Sequence, residues 1–154
     1  VYRRTVFAVA TLVVALDQAT KAWAVWQLEG RPARQVIGTV LQLSFARNPG
    51  AAFSMGTGMT WIFSGLAILV SVYVVRASAR LTNRRWALGL GGVLGGALGN
   101  LIDRLLREPG LFQGHVVDFI ALPHYPLFNI ADSALVCSAI GIALLSLAHV
   151  EPHS

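Results

Sequence analysis

Residues 5–26 read TVFAVATLVVALDQATKAWAVW, and the fold turns on how this stretch is taken. It is long and apolar enough to cross a bilayer as a helix, which needs about 20 such residues. Asp17, Gln18, Thr20 and Lys21 interrupt it toward one end. A competing reading is a removable secretory signal, because Arg3 and Arg4 precede the run and Ala22-Trp23-Ala24 has the A-x-A cleavage form. A cleaved signal has no use for ordered polar residues. Asp17 and Lys21 stand at i and i+4, the spacing of an ion pair on one helix face. The stretch therefore reads as a retained membrane helix.

Working outward, three more apolar runs approach spanning length: about 58–75, 86–102 and 128–148, the third being short and glycine-rich. The sequence thus predicts one domain, 1–154, with a membrane all-α core of four transmembrane helices. The composition agrees. Only 12% of residues are charged and 55% are hydrophobic, whereas a soluble domain carries about 25% charge. The net charge of +5 raises the question of nucleic acid. The arginines instead flank apolar runs (Arg3, Arg4, Arg76, Arg80, Arg84, Arg85), and no basic patch is interleaved with aromatics, so nucleic-acid binding is excluded. The same placement predicts cytoplasmic N- and C-termini and a cytoplasmic 76–85 loop. The two longer loops then face outward. Within them, residues 36–45 alternate as a short strand or hairpin, Asn48-Pro49-Gly50 marks a turn, and Val116–Ile120 reads as a second strand or an interfacial segment.

The polar residues converge in depth. Asp17 lies about 18 Å along the first helix from Thr5. Asn100 and Asp103 end the third helix, and Asn129 and Asp132 begin the fourth. All fall in the outer half, beneath both outer loops. Polar groups at such depth are costly and tend to be functional. Spacing sorts them. Asp17 with Lys21, and Asp103 with Arg104, read as structural pairs that neutralise each other. Asn100 stands at i,i+3 and i,i+4 from Asp103 and Arg104. Asp118 and Asp132 have no basic residue at helical spacing and sit in apolar strings. Desolvation raises the pKa of such a carboxyl, and two in proximity share one proton. One then serves as base on a water while the other donates to a carbonyl oxygen. Spacing alone leaves open whether the two meet.

Other features are weaker. Gly91, Gly92, Gly95, Gly96 and Gly99 form a small-residue face for close helix packing. They lack the lysine and preceding strand of a phosphate loop. His115 and His124 lack an ordered ligand set, so no metal is expected. Cys137 has no partner for a disulfide, and Trp23, Trp26, Trp61 and Trp86 fit an aromatic belt.

Five segments together resemble bacterial lipoprotein signal peptidase, the type II signal peptidase: Asp17-Gln18-Ala19-Thr20-Lys21, Asn48-Pro49-Gly50-Ala51-Ala52-Phe53, residues 95–104, Val116-Val117-Asp118-Phe119-Ile120, and Phe128-Asn129-Ile130-Ala131-Asp132-Ser133. The resemblance implies an aspartyl endopeptidase of the cytoplasmic (inner) membrane. Such enzymes cleave prolipoproteins immediately before a diacylglyceryl-modified cysteine. It implies four membrane helices with a small outward-facing β-sheet and a short interfacial helix. It assigns catalysis to Asp118 and Asp132, with Asn48, Gly50, Asn100, Arg104 and Asn129 supporting the site or binding substrate, and Asp17, Lys21 and Asp103 as structural polar residues. It implies no cofactor, inhibition by globomycin-type peptides, and contact with membrane lipid. One chain holds all the required groups, so a monomer is expected. The glycine-bearing segment from Asn48 to Met59 is expected to be mobile and to cover substrate. Two rivals make different demands. A proton-coupled transporter places carboxylates near the midplane, often between repeated halves. A non-catalytic membrane subunit leaves the five ordered segments unexplained.

Overall fold

The structure is a computed structural model that describes residues 1–50 and 59–153. Its elements run α1 (Arg3–Leu28), β1 (Arg34–Ile37), β2 (Leu41–Asn48), α2 (Thr60–Ala77), α3 (Arg84–Leu106), β3 (Val116–Ala121) and α4 (Ile130–Leu147). The chain is mostly helical, with one small antiparallel sheet of order β1-β2-β3.

Burial on the helices is inverted relative to a protein in water. The inward positions of α2 are Thr60, Ser64, Ala67, Ser71 and Val74, mostly small residues, while Leu66, Leu69, Val72 and Tyr73 face outward. On α4 only Ala131 is buried, and Val136, Ile140 and Leu144 are exposed. Small residues inside and large apolar residues outside suit helices whose solvent is hydrocarbon. α1, α2 with its short 3-10 extension, and α4 are each long and apolar enough to cross a membrane.

α3 is the central helix, packed on by α1, α2 and α4. Its glycines allow the close approach. A Cβ on Gly95 would lie 2.6 Å from Val13 Cβ of α1, and one on Gly96 would lie 2.6 Å from the Ala131 carbonyl oxygen of α4. The helix is longer than its apolar run: 23 residues, Arg84–Leu106, rather than 86–102. Asn83 caps its start by accepting from the Arg85 N–H, and Asn100 and Asp103 near its far end are satisfied by neighbouring elements rather than ending it.

α1 buries one face, Val6, Ala10, Asp17, Lys21, Ala24 and Leu28, at helical spacing. The 36–45 stretch, read from sequence as a short strand or hairpin, falls in a hairpin of two strands, and Val116–Ile120 is a strand rather than an interfacial segment. Among the described residues the remaining helical turn is Ser78–Arg80, so no short interfacial helix is found there. Most of the Asn48–Met59 segment, residues 51–58, lies outside the described residues.

Two apolar clusters bracket the polar level. One includes Val6, Ala10, Val74 and Leu94, the other Ala24, Leu28, Val117 and Phe119. The second cluster ties the sheet to α1. The β3–α4 connection folds back on β3: the Phe119 and Ile120 N–H groups both donate to the Phe128 carbonyl, and the Phe128 N–H returns to Ile120. That turnback delivers Asn129 beside Asp118.

Candidate active site

Lys21 is the centre of the buried polar layer. Its ammonium is wholly buried, 2.7 Å from Asp17 and 3.1 Å from Asp103, and it donates to the Asn100 side-chain oxygen at 3.0 Å. An unpaired buried ammonium is far too costly to persist. Here two carboxylates and an amide surround it. Gln18 closes the layer by donating to Asp103 and to the Gly99 carbonyl. Asp17 reaches across to α4, where its other oxygen accepts the Ala131 N–H at 2.9 Å. A carboxylate at a helix N-terminus also faces the positive end of the helix dipole. Asp103 likewise accepts the Val117 N–H at 3.0 Å, fixing β3 to α3.

The Asp17–Lys21 pair forms as its spacing predicts. The Asp103–Arg104 pair does not. Adjacent residues on a helix point about 100° apart, so Asp103 turns to Lys21 and to Arg107, 3.1 Å away. Arg104 faces the other way, its guanidinium 5.7 Å from the Phe63 ring centre and its buried Nε without a hydrogen-bond partner among the described residues. Asn100 also bonds to other elements rather than along its own helix: to Lys21 of α1, to Asn129 and to Asp132.

Asp118 of β3 and Asp132 of α4 line one cavity of about 270 Å³, together with Asn48, Gly50, Asn100, Arg104, Tyr125 and Phe128. Three asparagines hold the two carboxylates, and each is oriented by what its own oxygen accepts. The Asn48 oxygen takes the Gly50 N–H, so its amide group donates to Asp118 at 3.1 Å. The strand register allows this: Asp118 sits opposite Ala46, which puts Asn48, two residues on, at the diagonal position of the same face. The Asn129 oxygen takes the Asp132 N–H, so its amide donates to Asp118 at 2.8 Å. The Asn100 oxygen takes Lys21, and its amide donates to Asp132 at 2.8 Å. Among the three asparagines, Asn129 bonds to both acids, because its backbone N–H also donates to Asp132 at 3.1 Å.

Asp118 is 3% exposed. Burial, and next the charge of Asp132, push its carboxyl up to about 7, against the opposing pull of Asn48, Lys21 and Asn129. It is thus poised to gain or lose a proton near neutral pH.

Every site residue expected from sequence falls in this cavity or in the layer behind it. Sequence reasoning gave no role to Gln18, Arg107, Tyr125 or Phe128. Gln18 was visible as a polar residue in an apolar run, but its partners lie on another helix. Tyr125 and Phe128, stacked edge to face at 5.7 Å, form a wall of the cavity; Phe128 opens one of the five segments but carries no polar group to single it out, and nothing in the local sequence marks Tyr125.

These features define a helical membrane protein whose polar cavity holds two carboxylates suited to acid–base chemistry. Residues 9–148 match the peptidase family described as signal peptidase (SPase) II, and the chain belongs to that family. It is 52% identical over 151 residues to a lipoprotein signal peptidase of Rhodococcus jostii (strain RHA1), covering 97% of this chain and 76% of that protein. It is 46% identical to one from Streptomyces coelicolor, covering 95% and 72%, and 44% identical to one from Mycobacterium tuberculosis (strain H37Rv), covering 94% and 71%. Two solved structures, each described as a bacterial membrane enzyme, superpose with a TM-score of 0.81. One is 31% identical, covering 94% of this chain and 88% of that one; the other is 32% identical, covering 93% and 92%. The chain is therefore a peptidase and an integral protein of the bacterial inner membrane.

Proposed function

We propose that this peptidase is an aspartic endopeptidase in which Asp118 and Asp132 activate a water to cut a prolipoprotein immediately before its diacylglyceryl cysteine. Removal of signal peptides from prolipoproteins is the activity carried by its lipoprotein signal peptidase relatives. The observation that carries the catalytic reading is Asn129, which bonds to both acids at once in a shared cavity.

The pair works with one proton between its two carboxyls. The ionised carboxylate takes a proton from water as the water oxygen attacks the scissile carbonyl carbon. The protonated carboxyl donates to the carbonyl oxygen. The tetrahedral species then collapses: the carbon–nitrogen bond breaks, the proton taken from water goes to the departing cysteine nitrogen, and a hydroxyl of the tetrahedral carbon returns its proton to the carboxylate that had donated, leaving a carboxylic acid product. Both carboxyls end as they began. Asn48, Asn100 and Asn129 hold the acids in position. Arg104, with an unsatisfied buried Nε on the cavity wall, binds a carbonyl of the substrate backbone. Asp17, Lys21 and Asp103 lock α1, α3, α4 and β3 behind the pair.

A second, mostly apolar hollow of about 220 Å³ shares Asp132, Tyr125, Phe128 and Val136 with the cavity and extends to Leu122 and Cys137. It accepts apolar parts of the substrate entering from lipid. In this reading α3 is the fourth spanning helix, both termini are cytoplasmic, and the sheet and acids lie at the outer face. Globomycin-type peptides compete for the cavity, and a single chain is the working unit.

Mass spectrometry of the products from a lipidated prolipoprotein tests the reaction. The expected product begins at the lipidated cysteine, and no covalent peptide–enzyme adduct is trapped by hydroxylamine. A cut elsewhere, or a trapped adduct, contradicts the proposal.

A further inference from the structure

At the end of the bundle far from the acids, an apolar groove of about 630 Å³ runs between α1 and α2 over α3. Phe7 and Val14 of α1, Val72 of α2, and Leu94 and Leu98 of α3 line it. The groove passes Val75 and Arg76 into a second hollow of about 650 Å³, and this one is basic: Arg3, Arg76, Arg80 and His153 surround it. Among the described residues none of these three arginines is in an ion pair. The lining of the first hollow extends from Phe7 to Ala15 on α1, about 12 Å at helical rise, a substantial part of an acyl chain.

We propose that this joined site binds a diacyl anionic phospholipid, with its chains in the α1–α2 groove and its phosphate among Arg3, Arg76 and Arg80. Basic pockets between membrane helices recognise anionic headgroups in this way. The charge also selects against the other apolar occupant at hand. A signal peptide carries a cationic segment before its apolar core, and that segment would meet three arginines at the same depth. The site thus has a different ligand from the carboxylate cavity, and the proposal stands independently of the peptidase mechanism.

Native mass spectrometry of the full chain in detergent provides the test. The probes are phosphatidylglycerol, phosphatidylcholine with the same chains, inorganic phosphate, and a synthetic signal peptide. The parent protein is expected to prefer phosphatidylglycerol over phosphatidylcholine by tenfold or more, at roughly fivefold per arginine engaged. Arg76→Gln/Arg80→Gln is expected to remove most of that preference. Thr11→Trp, which fills the groove, is expected to weaken both lipids. Retained peptidase activity in these variants reports that they are folded. Equal binding of the two lipids by the parent protein would overturn the proposal without recourse to any variant. So would binding of inorganic phosphate as tight as the lipid, displacement of the lipid by the signal peptide, or a preference that survives Arg76→Gln/Arg80→Gln.

Discussion

Asn129 and Asp132 cap one another: the Asn129 side-chain oxygen accepts the Asp132 N–H at 2.9 Å, and Asp132 accepts the Asn129 N–H at 3.1 Å. This reciprocal box starts α4. It also means that one of the two acids is aimed by the helix terminus it stabilises. The free end of the Asn129 amide then reaches Asp118, so a single residue couples the start of a helix to the geometry of the pair.

Capping and aiming separate by substitution. Serine is a good cap but cannot donate two amide hydrogens; alanine does neither. Asn129→Ser should be about 1 kcal/mol more stable than Asn129→Ala, yet both should lose peptidase activity by roughly 100-fold, the scale of a mispositioned catalytic group. Thermal melts and cleavage rates in detergent check this. Full activity in the serine variant would show that the Asn129–Asp118 contact is dispensable.

Acidity gives a second expectation. The Asp118 carboxyl, ordinarily at 3.8, is pushed up to about 7 by burial and by Asp132. The folded protein therefore holds this proton to higher pH than the unfolded chain. Its contribution to stability is fully present below about 4 and is lost as pH rises through about 7. Asp118→Asn should thus be stabilising at pH 8 relative to its effect at pH 4, by up to about 4 kcal/mol. Activity of the parent should fall about tenfold per pH unit above 7, as the shared proton leaves. Melts of both proteins at the two pH values, with a pH–rate profile, decide the matter.

Lys21 balances two buried carboxylates. Lys21→Met should cost about 3–5 kcal/mol, because Asp17 and Asp103 are left without their cation. Adding Asp17→Asn should recover part of that loss, and denaturant unfolding of the single and double variants measures it.

Gly96 lets α3 approach α4. A methyl group there would lie 2.5 Å from Leu135 and 2.6 Å from the Ala131 carbonyl. Gly96→Ala should destabilise by about 1–3 kcal/mol. Because Ala131 adjoins Asp132, kcat should fall more than the melting temperature alone accounts for.

Much of this was legible in the sequence because it is local. Asp17 and Lys21 pair at i,i+4, the apolar runs mark helices within a few residues, and Asp118 and Asp132 stand apart from basic neighbours. What was not legible depends on partners distant in the chain. Asp103 looks paired with Arg104 but turns to Lys21 on another helix. Asn100 looks paired along α3 but bonds to Lys21, Asn129 and Asp132. Helix α3 outruns its apolar stretch because those same cross-helix bonds satisfy Asn100 and Asp103 near its end. The orientation of three asparagines toward the acids follows only from what each oxygen accepts, which no spacing encodes.

The central claim is that Asp118 and Asp132 act as one catalytic unit, and cleavage of a purified lipidated prolipoprotein by Asp118→Asn, Asp132→Asn and the double variant tests it most directly. Either single substitution should abolish cleavage, by at least about 1,000-fold, and the double should lose little more, as expected of residues that act together. Cleavage at near-parental rate by either folded single variant would contradict the account.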